Sequence, residues 1–167
     1  MLRTEPKTTE RDKFVDYTRS WMRPAEAEPE ATFNVWSSSA EPPSSSIPAH
    51  VAAKSLELIA PDLVDAFHHR LLSAYFTENR TISDWDVLAD LAAEVGSDRD
   101  EFVTMTRERE QSLAGSVIDE HNEAISQGIT AVPTMILDEV LPVQGAQDVD
   151  SVAQWISRLL DRRPETP

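Results

Sequence analysis

Apolar residues recur at helical spacing through most of this chain and condense into short unbroken runs only near its end. Phe14, Thr18 or Tyr17, and Trp21 predict a first helix. Thr9 stands as its cap, acidic residues fill its first turn, and Pro24 ends it. A helix then runs from Ile47-Pro48 to about Ile59 with Ala49, Ala52, Leu56 and Ile59 inward, because proline is favoured in a first turn. Pro61 opens the next, whose inner face is Leu63, Phe67, Leu71, Ala74 and Tyr75, and Asn79-Arg80 breaks it. Ser83 is the expected cap of a third, with Ile82 and Val87 as a hydrophobic staple and Gly96 as a left-handed stop. Asp98-Arg99-Asp100-Glu101 repeats the start signal for a weakly amphipathic helix anchored by Phe102 and Met105. A bend is expected between Gln111 and Gly115, followed by a helix carrying Val117, His121, Ala124 and Ile125 to Gly128.

The pattern then changes. Met135-Ile136-Leu137 is too short for a helix, is bounded by Asp138-Glu139, and reads as a buried strand. Pro133 stands at its mouth, where a missing ladder N–H is tolerated. Val140-Leu141-Pro142-Val143 reads as a second strand, close enough for an antiparallel hairpin, with Pro142 at an edge. Asp148 caps a last helix with the stripe Val152, Trp155, Ile156, Leu159 and Leu160, and Arg158, Arg162 and Arg163 suit its C-terminal dipole. Residues 23–32 read as a solvated linker, Phe33-Asn34-Val35-Trp36 as a short extended segment, and Ser37 to Ser46 as a loop made rigid at Pro42-Pro43. No internal repeat is present.

Composition narrows the partners. Thirty acidic residues stand against 15 basic ones, a formal net charge of −15 over 167 residues. Such a field repels phosphates, so nucleic acid and anionic membrane surfaces are not expected partners. There is no cysteine, so these residues supply no disulfide, thiolate nucleophile or thiolate metal ligand. No apolar run approaches a membrane span, and Met1 to Lys7 has no signal-peptide core. A cytoplasmic protein is the default expectation. His68 and His69 are adjacent on a helix and point apart, His50 sits in a first turn, and His121 reads as a packing residue. No spacing supports a metal site. Nucleotide-binding glycine loops and nucleophile elbows are absent too.

The order Gly128-Ile129-Thr130-Ala131-Val132-Pro133-Thr134 before an apolar strand resembles the cis-proline strand of thioredoxin-fold proteins. The surrounding segments Val117–Ala124, Val143–Gln147 and Ala74–Asp84 resemble the DsbA family, in the branch of FrnE-like oxidoreductases and 2-hydroxychromene-2-carboxylate isomerases. The resemblance covers the chain from about Ser44 onward. It implies an α/β, mostly helical, incomplete thioredoxin-like fold with a helical insertion domain and a C-terminal cis-proline β-hairpin plus helix. The implied division is an N-terminal helix and linker at 1–43, the helical insertion at 44–127, the thioredoxin portion at 128–163 and a tail at 164–167.

In such proteins a strand, a Cys-x-x-Cys turn, a helix and a second strand come first. That opening unit has no counterpart here. Leu2-Arg3-x-x-Pro6 looks like what would follow its second strand, and whether Met1 is the true start stays open. A rival register makes Phe14 to Thr18 the first strand and puts Arg19-Ser20-Trp21-Met22 at the cysteine turn, but the prolines between Met22 and Phe33 leave no room for the long helix required there. Ser44-Ser45-Ser46 is not carried over as the active serine of the isomerases, which belongs to the missing turn.

The resemblance implies thiol–disulfide exchange, with Val132, Pro133 and Thr134 as the substrate-binding residues and no catalytic residue in the chain. A peptide, a protein or a small thiol such as glutathione would be the substrate. Two alternatives stand beside it: a non-enzymatic module that binds a peptide or partner chain, and a glutathione-dependent isomerase or transferase relative. Loss of the neighbouring strands would leave a hydrophobic edge on the hairpin, so self-association or low stability is expected.

Overall fold

The computed structural model describes residue 2, residues 5–139 and residues 141–161. The expectations for Arg3, Val140, Arg162, Arg163 and the tail 164–167 lie outside them. The chain divides into two compact units, residues 2–118 and the segment from residue 119 onward.

The first unit is helical. It comprises α1 (Arg11–Thr18), a 3-10 turn (Arg19–Trp21), α2 (Met22–Ala27), α3 (Ile47–Ile59), a second 3-10 turn (Pro61–Leu63), α4 (Val64–Phe76), α5 (Trp85–Glu94) and the greater part of α6 (Arg99–Ser126). Its core is the layer where α3, α4 and α5 meet α6. Ala52, Leu56, Phe67, Ala74, Leu88, Ala89, Leu91, Ala92 and Phe102 are all but inaccessible there. Small alanines let the helices approach closely while Leu and Phe fill the remaining space. A second cluster is aromatic: Phe14, Trp21 and Trp36 pack with Phe33, Tyr75 and Phe76. Trp21 meets Phe76 edge-on at a centroid distance of 4.8 Å, and Phe14 meets Trp36 at 5.2 Å, the tilted geometry that ring quadrupoles favour.

Helix ends follow backbone hydrogen bonding closely. At the end of α5 the Gly96 N–H donates to the Ala93 carbonyl and the Ser97 N–H to the Ala92 carbonyl, with Gly96 at φ 104°. At the end of α6 the Gly128 N–H donates to Ile125 and the Ile129 N–H to Ala124, with Gly128 at φ 82°. Both are Schellman caps, and both need the left-handed conformation that glycine adopts without strain.

Several expectations are corrected. Ser83 does not cap α5; Asp84 does, its Oδ1 accepting from the N–H groups of Asp86 (2.8 Å) and Val87 (3.2 Å). The Ser83 hydroxyl instead accepts from the Ser44 N–H. Thr9 does not cap α1, which starts after Glu10 without a side-chain cap. No bend interrupts residues 111–115, because α6 is one continuous helix of 28 residues. Its middle is rich in Arg, Glu, Gln, Leu and Ala, and a single interior Gly115 costs too little to break it. Residues 23–27 of the expected linker lie in α2 (Met22–Ala27). Phe33 to Trp36 lies between helices and joins no ladder; the Asn34 N–H donates to the Phe76 carbonyl and the Trp36 N–H to the Thr18 hydroxyl, so its donors go to helix ends. The rival register fails as well, since residues 14–18 lie in α1.

The second unit takes in the last turns of α6, then β1 (Thr134–Leu137), β2 (Leu141–Gln144) and α7 (Val149–Asp161). The two strands are antiparallel, with Thr134 opposite Gln144, Met135 opposite Val143, Ile136 opposite Pro142 and Leu137 opposite Leu141. Asp138 and Glu139 make the turn at φ 52° and 60°. Asp148 caps α7, accepting from the Ser151 N–H at 2.9 Å and hydroxyl at 2.7 Å. The expected buried strand is half solvent-facing: Leu137 is buried, but Met135 and Ile136 are 43% and 47% exposed. Among the described residues β1 pairs only with β2, and this leaves those side chains uncovered.

Candidate functional site

The candidate site is the loop from Gly128 to Thr134, and hydrogen bonds from its two ends and from the neighbouring strand shape it. Gly128 ends α6 through its cap, which fixes where the loop leaves the helix. The side-chain amide of Gln144 then holds the loop from the neighbouring strand: its Oε1 accepts from the Thr130 hydroxyl at 2.9 Å and its Nε2 donates to the Gly128 carbonyl at 2.8 Å. Finally, the Gly145 N–H donates to the Pro133 carbonyl at 2.7 Å, and the Thr134 hydroxyl donates back to the Ala131 carbonyl at 2.6 Å. The Val132–Pro133 peptide is cis.

The outcome is a displayed backbone. Val132 is 74% exposed, and its N–H and carbonyl make no hydrogen bond among the described residues. Ala131 and Pro133 are exposed beside it, and Thr134 is half-buried. An unpaired donor and acceptor on one residue, held in place from both sides, can receive one rung of an extended peptide. Exposed Met135, Ile136 and Leu141 give the adjoining hairpin an apolar surface. Of the three residues singled out from sequence, Val132 and Pro133 are exposed and Thr134 is half-buried. Gln144 was not singled out, because a side-chain amide reaching back 14 and 16 residues leaves no periodic trace.

Charged chemistry lies elsewhere. None of residues 128–134 is ionisable. Among the described residues no group of three or more His, Asp or Glu side chains gathers to hold a metal, and no helix is long and apolar enough to cross a membrane. An ion-pair network lies in the first unit. Arg70 Nε donates to Glu94 at 2.6 Å, Arg70 Nη2 to Glu78 at 2.8 Å, and Arg80 Nη1 to Glu94 at 2.8 Å. Hydrogen bonds from Arg80 and then Arg70 hold the Glu94 carboxyl below its ordinary range. This network ties α4 and the following turn to α5.

Residues 42–157 match the DSBA-like thioredoxin domain family. An uncharacterized protein, YwbO, of Bacillus subtilis (strain 168) is 36% identical over 86 residues; the match takes in 50% of this chain and 42% of that protein, so the chain spans less than half the length of this relative. A putative protein disulfide isomerase from Nitrosomonas europaea shares the fold with a TM-score of 0.73 at 15% identity, covering 95% of this chain and 78% of that one. The cytosolic disulfide reductase DsbM from Pseudomonas aeruginosa, solved with GSH, gives 0.62 at 18% identity, covering 93% and 78%.

Proposed function

The chain belongs to the DSBA-like thioredoxin domain family, and from that premise we propose that residues 131–134 are the substrate-holding edge of a thiol–disulfide oxidoreductase fold. The observation that carries this reading is the unpaired, exposed backbone of Val132 next to a proline pinned by Gly145. Its partner is an extended peptide or a small thiol of peptide character. Glutathione fits the second description, and it is bound in the Pseudomonas aeruginosa reductase of the same fold. Disulfide exchange requires a thiolate to attack sulfur and a second thiol to resolve the mixed disulfide. These 167 residues contain neither, so their own share is binding and orientation, and they reduce no disulfide unaided. The FrnE-like branch and a cytoplasmic location form part of the same proposal, the latter supported by the cytosolic reductase of like fold.

Amide spectra recorded during a titration with millimolar glutathione, and separately with an extended peptide, test the binding. Saturable shifts at residues 129–132 and 134 are expected. A flat response to both ligands would remove the reading. Insulin reduction by the pure chain above a no-protein control would overturn the assignment of binding without exchange.

A second reading rests on the uncovered side chains of Met135, Ile136 and Leu141. They make the hairpin an edge for self-association. Light scattering of the pure chain against Ile136→Ser tests it: a concentration-dependent mass that falls in the variant is expected, and a clean monomer in both would dismiss it.

A further inference from the structure

In an antiparallel pair, successive residues alternate between turning their N–H and C=O to the partner strand and turning both away from it. The Gly145 N–H donates to the Pro133 carbonyl, and this contact continues the register in which Thr134 stands opposite Gln144. Pro133, Met135 and Leu137 therefore turn their backbone to β2, and Thr134 and Ile136 turn theirs to the other side. Pro142 agrees with this alternation: it stands opposite Ile136, where its missing N–H costs the ladder nothing. Among the described residues no strand lies on that other side of β1. The unpaired Val132 immediately precedes this edge in the chain. Val132 and Ile136 are 74% and 47% exposed, and Thr134 is half-buried between them.

We propose that this edge takes up an extended polypeptide segment as an added strand, one that carries basic residues beside its apolar ones. The proposal rests on the function proposed above for Val132 and extends it along β1. Length follows from the rungs. Residues that share an edge are two apart, so a ligand that meets Val132, Thr134 and Ile136 needs about five residues. A tripeptide such as glutathione reaches only part of the row. Apolar character follows from Met135 and Ile136, which are exposed on opposite faces of the strand. Basic charge follows from the surroundings. Residues 119–157 hold seven acidic side chains and no lysine or arginine, and exposed Asp138 and Glu139 close the Ile136 end of the edge. Such a field speeds encounter with a cationic segment and rejects an acidic one. It also disfavours a second copy as the occupant, since each chain carries a net charge of −15.

The probes are capped Thr/Val peptides: a tripeptide, and a seven-residue form flanked by lysine or by glutamate. Amide exchange and shifts are read in the full chain, diluted until its mass is that of a monomer. The lysine-flanked peptide should slow exchange at Thr134 and Ile136 and change Met135 and Leu137 little, because their N–H groups already face β2. It should bind several-fold tighter than the glutamate-flanked peptide at low salt, and the ratio should fall toward one as salt screens the charges. Ile136→Pro removes one outward N–H and should weaken the long peptide several-fold without affecting the tripeptide. Shifts at Val132 without protection at Ile136, with the tripeptide binding as tightly as the longer peptide, would overturn the inference and leave the proposed function standing. No shift with any peptide would overturn both. Equal affinity for the lysine and glutamate peptides would overturn the assigned charge. Protection at Ile136 that rises with protein concentration in the absence of peptide would assign the edge to a second copy and overturn the proposal. The measurements on the unaltered chain decide it even where Ile136→Pro loses the hairpin.

Discussion

Gln144 holds Thr130 at 2.9 Å across the hairpin, although the two residues sit on opposite sides of the proline. The same amide reaches Gly128, so one side chain fixes the loop that displays Val132. Gln144→Ala should therefore raise hydrogen exchange at residues 129–132 and 134. It should weaken glutathione or peptide binding several-fold and leave the melting of the helical unit unchanged. Each lost bond is worth about 0.5–1.5 kcal/mol, at the low end here because both are exposed. Unchanged exchange in the loop would show that the clamp is idle.

Asp84 satisfies two N–H groups at the start of α5, whereas Ser83 satisfies one N–H in another segment. Asp84→Ala should cost about 1 kcal/mol in a urea titration, and Ser83→Ala less. The reverse order would restore Ser83 as the cap.

Glu94 sets a pH dependence. Two guanidinium groups favour its ionised form in the folded chain and are absent in the unfolded one, so its folded pKa lies below its unfolded one. The stability it adds is present above the unfolded carboxylate range and is lost as pH falls through the folded value. Glu94→Gln should flatten the decline in urea midpoint as pH falls below the ordinary carboxylate range, about 4.3. Because the carboxylate is 41% exposed, solvent screening keeps the effect modest. Parallel pH curves for both proteins would contradict it.

Gly115 lies in the interior of α6, and a Cβ built there meets nothing within 4 Å. Gly115→Ala should stabilise the helix by about 0.5–1 kcal/mol, read as a raised thermal midpoint. A loss of stability would point to a close neighbour.

Much of this fold was legible from the pattern of residues. The bounds of α3 at Ile47 and Ile59, the inward Phe67, Leu71 and Ala74 of α4, the glycine stops at Gly96 and Gly128 and the proline hairpin all follow from local periodicity and turn chemistry. What was missed is non-local or weakly patterned. The middle of α6 has too few apolar positions to show a period, since only Phe102, Thr106 and Val117 are buried in it. The packing of Trp36 with Phe14 and of Trp21 with Phe76 joins residues up to 55 positions apart, which no window can reveal. Exposure of Met135 and Ile136 depends on which strands lie alongside, not on their own hydrophobicity. At the site, Pro133 and Val132 could be found by motif, whereas Gln144 acts through a side chain with no required spacing.

The helical core has a kinetic consequence. Its buried residues run only from Ala49 to Phe102, on helices that follow one another directly in the chain. Low contact order of this kind permits folding in microseconds to milliseconds. A ribosome adds roughly 5–20 residues per second, so Pro133 emerges about a second or more after Phe102. The proline loop would thus reach a chain whose core has had time to close during synthesis. Substitutions between Gly128 and Gln144 would accordingly leave the folding of the core unslowed.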